Sequence, residues 1–432
     1  MVSAAKPGTE FDRRVQDMSA NVPHGWHKTR LRHVIGSLDA GVSVNSGDCP
    51  SMNGEPGVLK TSCVTTGTFR PNENKVVVQG EIAFAKESPS KGGIIISRMN
   101  TSALVGASGY VDRDWPHLFL PDRLWQAKVA DNNKYRPRWL AYLLASDQMR
   151  LVLGQRATGT SGSMKNLSKE ALLSIKVDVP PPEEQDFIVD TLYCWDCVIE
   201  IVDQLLVEKR LRHKVLMQQL LTGKRRLSKL DTPWNTLKLK SILSPVQRQI
   251  SKPLQPYDAL GIRSHFKGTF AKQIEDPMKI DMDTLYIAKA GDLIVNITFA
   301  WEGAIAIVPP EHDGRLVSHR FPTYRPKEQK VSTEYLRYLI SQERFKYLLA
   351  GISPGGAGRN RVMSKKGFLL LEITIPDLAE QKKVAAILDT ASREIDLLQN
   401  KADALREQKK GLMQQLLTGK KRVKGLKGGQ QQ

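Results

Sequence analysis

The feature that most constrains this chain is an internal repeat. Nine residues, LMQQLLTGK at Leu216 to Lys224, return unchanged at Leu412 to Lys420, 196 positions later. At that fixed offset the register extends without a gap from Trp139 over Tyr335, through 89 residues with 26 identical pairs. Two related halves of about 200 residues imply one structural unit built twice, doing one kind of recognition twice.

Both halves open alike, with Trp26 ahead of Arg30-Leu31 and Trp234 ahead of Lys238-Leu239, but here the offset is 208, so the early parts differ by insertions and deletions. Short apolar runs bounded by turn formers follow: Lys75 to Gly80, Ile94 to Arg98, Asp292 to Thr298 and Ala304 to Pro309. They predict strands joined by turns. Trp139 to Leu144 and Tyr335 to Ile340 share apolar first, second, fifth and sixth positions, which predicts a core helix in each half. A Gly-rich segment, a Ser-Lys pair (Ser168-Lys169, Ser364-Lys365) and a β-like run ending at Pro180 or Pro376 complete each globular part.

Beyond the prolines the pattern changes period. Steps of four and three visit Ile188, Leu192, Trp195, Ile199, Val202, Leu206, Lys209, His213, Leu216 and Leu220 in the first copy. The second gives Val384, Leu388, Ala391, Ile395, Leu398, Ala402, Leu405, Lys409, Leu412 and Leu416. Such a seam, kept for about four heptads, predicts coiled-coil pairing. Two helices of about 40 residues, each about 60 Å long, pair most economically with each other in antiparallel fashion. Packing of each on its own domain or on another subunit is the alternative. Thr222-Gly223 and Thr418-Gly419 are expected to stop them. Lys209, His213 and Lys409 interrupt the seam; we expect them to face solvent where the helices splay, with register-fixing as the alternative. Lys224-Arg225-Arg226 and Lys420-Lys421-Arg422 are expected to be solvated tails, able at most to touch phosphate.

The fold class is therefore mixed α/β, of the α+β kind. It has two domains, a pair of long antiparallel coiled-coil helices and an internal pseudo-twofold repeat. The expected boundaries are a 1–25 extension, a first globular domain at 26–180, a helix at 181–224, a second domain at 225–376, a helix at 377–420 and a basic tail at 421–432.

Sixty-four Lys and Arg against 45 Asp and Glu give a formal charge of +19, which makes nucleic acid the natural partner. No run approaches the ~20 apolar residues of a bilayer span. Residues 1–25 carry Lys6, Glu10, Asp12, Arg13, Arg14 and Asp17 and lack the apolar core of a secretory signal. We expect an intracellular, cytoplasmic protein without membrane association. Cys194-Trp195-Asp196-Cys197 lies in a predicted helix, and its repeat counterparts are Thr390 and Arg393; no second pair completes a zinc site.

Catalytic constellations are missing from the sequence. No Asn or Asp precedes Pro-Pro and an aromatic, as an amino-methyltransferase requires, and there is no GxxxxGK[ST] phosphate loop. Pro121-Asp122 lacks a nearby Glu-x-Lys, and the eight histidines are scattered. In the Gly-rich segments Gly159, Gly162 and Lys165 match Gly355, Gly358 and Arg361, coupling permissive backbone to a cation. Phosphate contact and a plain connecting loop fit equally. Arg98, Asn166, Arg263, Arg359 and Asn360 are candidates for reading base edges, and Arg156 joins the DNA-binding candidates.

Each half ends in a Pro, a Glu-Gln step (Glu184-Gln185, Glu380-Gln381), a heptad helix and a Leu-Thr-Gly-Lys stop. This arrangement resembles the specificity subunits of type I restriction-modification systems, over nearly the whole chain from Trp26 and most strongly in PPPEEQ and LMQQLLTGK. The resemblance implies two target-recognition domains that each read one part of a split sequence in double-stranded DNA, held apart by the helical pair. It implies two methylation subunits docked on them and restriction or translocase subunits joining the complex. It also implies that S-adenosylmethionine, ATP and Mg²⁺ belong to those partners, leaving this chain non-catalytic and without a metal. A standalone DNA-modifying enzyme with a dispersed site, and a coiled-coil scaffold without sequence specificity, are the competing readings.

Overall fold

The computed structural model describes residues 22–52, 54–159, 164–227, 233–356 and 361–422. The described residues up to Asp203, together with those from Lys401 onward, form one compact unit, and Gln204–Asn400 form the other. The division cuts through both long helices instead of following the prolines, because each unit contains the start of one helix and the end of the other.

In the first unit the strand His27–Arg30 pairs antiparallel with Lys176–Val179, joining the start of the half to its end. A four-stranded sheet follows in the order Ile35–Ala40, Leu124–Val129, Ile94–Ser97, Ser108–Tyr110. Ile94, Ile95 and Ile96 are buried on both faces, so they form a continuous apolar run and not an alternating one. A three-stranded sheet of Asn74–Val76, Gly57–Leu59 and Leu118–Phe119 lies beside a small apolar cluster around Cys63, Val64 and Leu120.

The second unit repeats this order at offsets that drift. Asn235–Lys238 pairs with Glu372–Ile375, and the four-stranded sheet runs Leu243–Val246, Thr323–Pro326, Leu293–Val295, Ile305–Ile307. Its other sheet has five strands, Gln249–Ser251, Thr284–Ile287, Leu316–Val317, Tyr257–Ile262 and Thr269–Ile274. The expected strand at Lys75 to Gly80 is corrected: the strand ends at Val76, Val77 adds an isolated bridge to Ser46, and Gln79–Phe84 turns into a 3-10 helix.

The expected core helices are Pro137–Ala145 and Thr333–Ile340. Trp139 to Leu144 are all buried, as are Tyr335, Leu336, Tyr338, Leu339 and Ile340. The long helices are Pro182–Leu221, opened by a proline that has no amide to leave unpaired, and Leu378–Leu416, where the Asp377 carboxylate accepts from the Glu380 amide at 2.8 Å. Gly223 and Gly419 follow the two ends with φ of +73° and +67°. Trp234 covers Gly223 in the second unit, and Trp26 covers Gly419 in the first.

Within the first unit the helices run antiparallel, since Asp196 meets Lys409 and Asp203 meets Arg406. Ile188, Leu192, Leu416 and Leu417 are buried in its core, with Leu412 packed against it. In the second unit Lys209 meets Glu394 at 2.5 Å and His213 meets Ser392 at 3.2 Å, again antiparallel. Leu220, Val384 and Leu388 enter its core, with Leu216 packed against it. Val202, Leu206 and Ala402 are buried; Trp195, Ile199, Ala391, Ile395, Leu398 and Leu405 are half-buried, and no seam position is exposed.

Two expectations fail here. Lys409 does not splay into solvent: its side chain is 17% exposed, its ammonium pairs with Asp196, and it lies 5.2 Å from the Tyr142 ring. Lys209 and His213 likewise bond to the facing helix, because a half-buried polar group needs a partner. Arg226 and Arg422 are not solvated tails either. Arg226 grips Glu380 at 3.0 and 2.9 Å, and Arg422 grips Glu184 at 2.6 and 2.7 Å, while Trp26 Nε1 donates to Glu184 at 2.9 Å. Glu380 and Glu184 are buried, so a fork-shaped cation from a helix end is what makes each carboxylate tolerable inside. Burial works against ionisation of Glu380, but the bonds from Arg226 and the Leu227 amide outweigh it and hold the carboxyl below its ordinary value.

Gln185 and Gln381 complete the junctions. Gln185 accepts from the Arg136 amide at 2.7 Å and donates to the Lys134 and Pro180 carbonyls, both at 2.9 Å. Gln381 accepts from Ser332 at 3.0 Å and donates to Lys330 and Pro376. The Glu-Gln step thus welds each helix to its own domain, with every polar group of the buried amide satisfied.

Candidate nucleic-acid interface

Each domain carries the same backbone clasp at the end of a buried strand. In the first, where Ile94–Ser97 ends, the Arg98 amide donates to the Arg123 carbonyl at 3.0 Å and the Leu167 amide to the Arg98 carbonyl at 2.8 Å. In the second, beyond Leu293–Val295, the Ile297 amide donates to Arg320 at 3.0 Å and Met363 to Ile297 at 2.9 Å. The clasp ties three loops together and leaves Arg123 and Arg320 exposed beside it.

In the first domain the third loop is the Gly-rich one. Thr158 and Asn166 exchange amide–carbonyl bonds at 2.9 and 2.8 Å, and Lys165–Asn166 pairs with Met99–Asn100. Gly159 has φ of +145°, and a Cβ there would fall 2.5 Å from the Met164 carbonyl oxygen, so only glycine fits. Ser168 caps the helix Lys169–Leu173, and Lys169 Nζ donates to the Leu38 carbonyl at 2.6 Å.

The second domain adds more to its clasp. Gly355 has φ of +137°. Arg361 lies over the Trp301 ring at 4.9 Å and donates to the Ser353 and Ala350 carbonyls, both at 3.2 Å. Ser364 caps Lys365–Leu370, and Lys365 Nζ reaches the His319 carbonyl at 3.2 Å. Asn296, Thr298, Phe299, Arg320 and Phe321 line an open pocket of about 420 Å³. The hairpin between Tyr257–Ile262 and Thr269–Ile274 docks onto the same loops, with the His265 amide on the Glu302 carbonyl at 2.9 Å and Phe266 on Gly303 at 3.0 Å. Backbone amides, aromatic faces and arginines gathered on one face are the groups that contact phosphate, sugar and base edges.

Residues 23–208 and 281–407 match the family described as the type I restriction modification DNA specificity domain. The chain belongs to that family. A type I restriction enzyme specificity subunit of Methanocaldococcus jannaschii, MjaVIII, is 24% identical over 310 residues, 67% of this chain and 71% of the relative. The EcoEI specificity subunit of Escherichia coli is 25% identical over 185 residues, 43% of this chain and 30% of that protein. The crystal structure of a type I restriction-modification S subunit from M. genitalium shares the fold, with a TM-score of 0.56 and 14% identity, covering 92% of this chain and 97% of that one.

As a specificity-domain protein, the chain places its sequence-derived candidates unevenly. Arg98, Lys165 and Asn166 come together at the first clasp, with Arg98 5.9 Å from the Trp125 ring and its buried Nε without a partner among the described residues. Lys165 Nζ folds back onto the Gly159 carbonyl at 3.0 Å, as Arg361 does onto its own loop, so this matched pair of cations braces the Gly-rich segments. Arg156 is removed from that group. It donates to the Ala171 carbonyl at 3.3 Å and Ser174 Oγ at 2.8 Å, holding one helix onto another. Arg263 is exposed on the docked hairpin, 4.9 Å from the Phe270 ring. Gly162, Gly358, Arg359 and Asn360 lie outside the described residues.

Arg123, Arg320 and Trp301 were not picked out from the sequence. Arg123 and Arg320 stand 197 positions apart, one step off the repeat register, so an ungapped comparison passes over them. Among the described residues no cluster of His, Cys, Asp and Glu could hold a metal ion, and no helix is long and apolar enough to cross a membrane.

Proposed function

We propose that this chain is the DNA specificity subunit of a type I restriction-modification complex, each domain binding one half of a bipartite target in double-stranded DNA. The observation that carries this reading is the duplicated clasp, which presents Arg123 in one domain and Arg320 in the other from equivalent backbone positions, with Arg98 beside Arg123 where the second domain has Ile297. The family and the net charge of +19 support it. In this reading the chain supplies the address and no chemistry. Two methylation subunits bring S-adenosylmethionine, restriction or translocase subunits bring ATP and Mg²⁺, the helical pair sets the spacer and docks the methylation subunits, and the assembly works in the cytoplasm.

The test is single-molecule methylome sequencing of the host with the gene intact and deleted. A gapped two-part adenine motif that disappears on deletion supports the reading; a methylome unchanged by deletion in cells making the methylation partner refutes it. Affinity of the assembled complex for its site should also fall steeply with salt, on the order of a thousandfold between 50 and 200 mM if six or more phosphates are contacted.

A further inference from the structure

We propose that the hairpin tip Arg263 to Lys267 is the base-reading element of the second domain, and that it recognises guanine. The proposal rests on the DNA-specificity reading and names the contact within it.

The tip is built to hold an awkward shape. His265 and Phe266 are consecutive non-glycine residues with φ of +60° and +57°, a conformation that costs side-chain-bearing residues energy and survives only where neighbours impose it. The neighbours are present. Besides the two backbone bonds to Glu302 and Gly303, Ser264 Oγ donates to Glu302 Oε2 at 2.6 Å. Phe266 lies so close over Gly303 that a Cβ there would come within 3.0 Å of the ring.

The consequence is alternation. Ser264 and Phe266 face the body of the domain, while Arg263, His265 and Lys267 are exposed. Arg263 is oriented by its Nη1 bond to the Thr269 carbonyl at 3.0 Å and by the Phe270 ring beneath it. A plain connecting turn requires neither two left-handed non-glycine residues nor three cationic or imidazole side chains on its outer side.

The chemistry of those side chains selects the ligand. Arg and Lys donate only, and imidazole donates from at least one nitrogen. A base edge that offers acceptors alone, N7 and O6, is that of guanine in the major groove, whereas adenine places a donor beside its N7. Arg320, exposed at the clasp on a neighbouring loop, suits a phosphate contact.

The experiment uses the full-length chain in complex with its methylation partner, binding a random duplex library, with bound molecules sequenced. Wild type is compared with H265G, K267Q and R263Q. Glycine adopts the left-handed conformation freely, so H265G removes the imidazole without loading the fold. We expect one half-site to lose its preference for guanine at one or two positions, by roughly ten- to a hundredfold, with the other half-site unchanged. An unchanged motif in all three variants overturns the proposal. So does uniformly weaker binding with the same motif, which would make these residues phosphate contacts. No enriched motif from the wild-type complex would instead overturn the specificity reading itself.

Discussion

The two domains satisfy the same amide, just ahead of a buried strand, by opposite means. In the first, the amide of Ser90 donates at 2.8 Å to Oε1 of Gln126, a fully buried side chain reaching from the neighbouring strand. Gly93 makes room for it, since a Cβ there would fall 2.4 Å from that oxygen. In the second, the amide of Lys289 donates at 3.0 Å to Asp292, which occupies the place of Gly93, while Thr323 occupies the place of Gln126. Asp292 is fully buried and ionically paired to Arg248 and Arg325. The frame dictates that the amide be bonded, and either strand can supply the acceptor, provided the other gives way.

This difference ranks the expected effects of mutation. D292A leaves Arg248 and Arg325 facing an empty acceptor and should destabilise the second domain by about 3 kcal/mol. That is the low end for breaking a buried pair, because the two guanidinium side chains keep 28% and 45% of their surface exposed. Q126A removes a neutral acceptor and should cost the first domain about 1–2 kcal/mol. Urea unfolding followed by hydrogen exchange, resolved by domain, separates the two. Equal losses in both domains would mean that the charges add nothing beyond the shared amide bond.

The Gly-rich loops sharpen the comparison at a smaller scale. G159A must find space for a methyl group against the Met164 carbonyl at positive φ, and G355A meets a positive φ of its own. We expect about 2–3 kcal/mol for the first and, from backbone strain, at least about 1 kcal/mol for the second. G356A, with open space around it, should be close to neutral. Thermal unfolding of the three variants would check the order, and a G355A as costly as G159A would show that the loops are packed alike.

What the sequence made legible follows from how each interaction is encoded. The long helices and their stops show in a local period and an unchanged nonapeptide, so seam positions such as Leu192 and Leu388 could be named in advance. The sheet could not be matched between halves, because Gly93 and Gln126 trade places with Asp292 and Thr323 and leave no identity to align. Arg226 and Arg422 looked like solvent-facing ends because their partners, Glu380 and Glu184, lie 154 and 238 positions away. The clasp eluded the sequence for another reason: its bonds are made by backbone, which carries no residue signature.

The smallest expected effect comes from the seam, where Lys409 and His213 occupy matched positions in different surroundings. Lys409 meets the Asp196 carboxylate, which also accepts from Tyr142 at 2.6 Å. His213 meets the neutral Ser392 hydroxyl and the edge of Tyr338. Among the charged groups of this unit, Asp389 is engaged by Arg337 and Tyr338, and Lys209 by Glu394. Burial lowers the pKa of His213 below its ordinary 6.5, the bond to the Leu388 backbone offsetting part of this. The imidazole therefore takes up a proton more readily in the unfolded chain. Its stabilising contribution is complete above pH about 6.5 and is lost as pH falls through the lower folded value. H213Q should flatten that part of the stability profile between pH 7 and 5 in the second domain. Substituting glutamine for Lys409, which belongs to the first unit, should leave the slope in the second domain intact. A slope that survives H213Q would assign it to other groups and make the two seam positions equivalent in their response to pH.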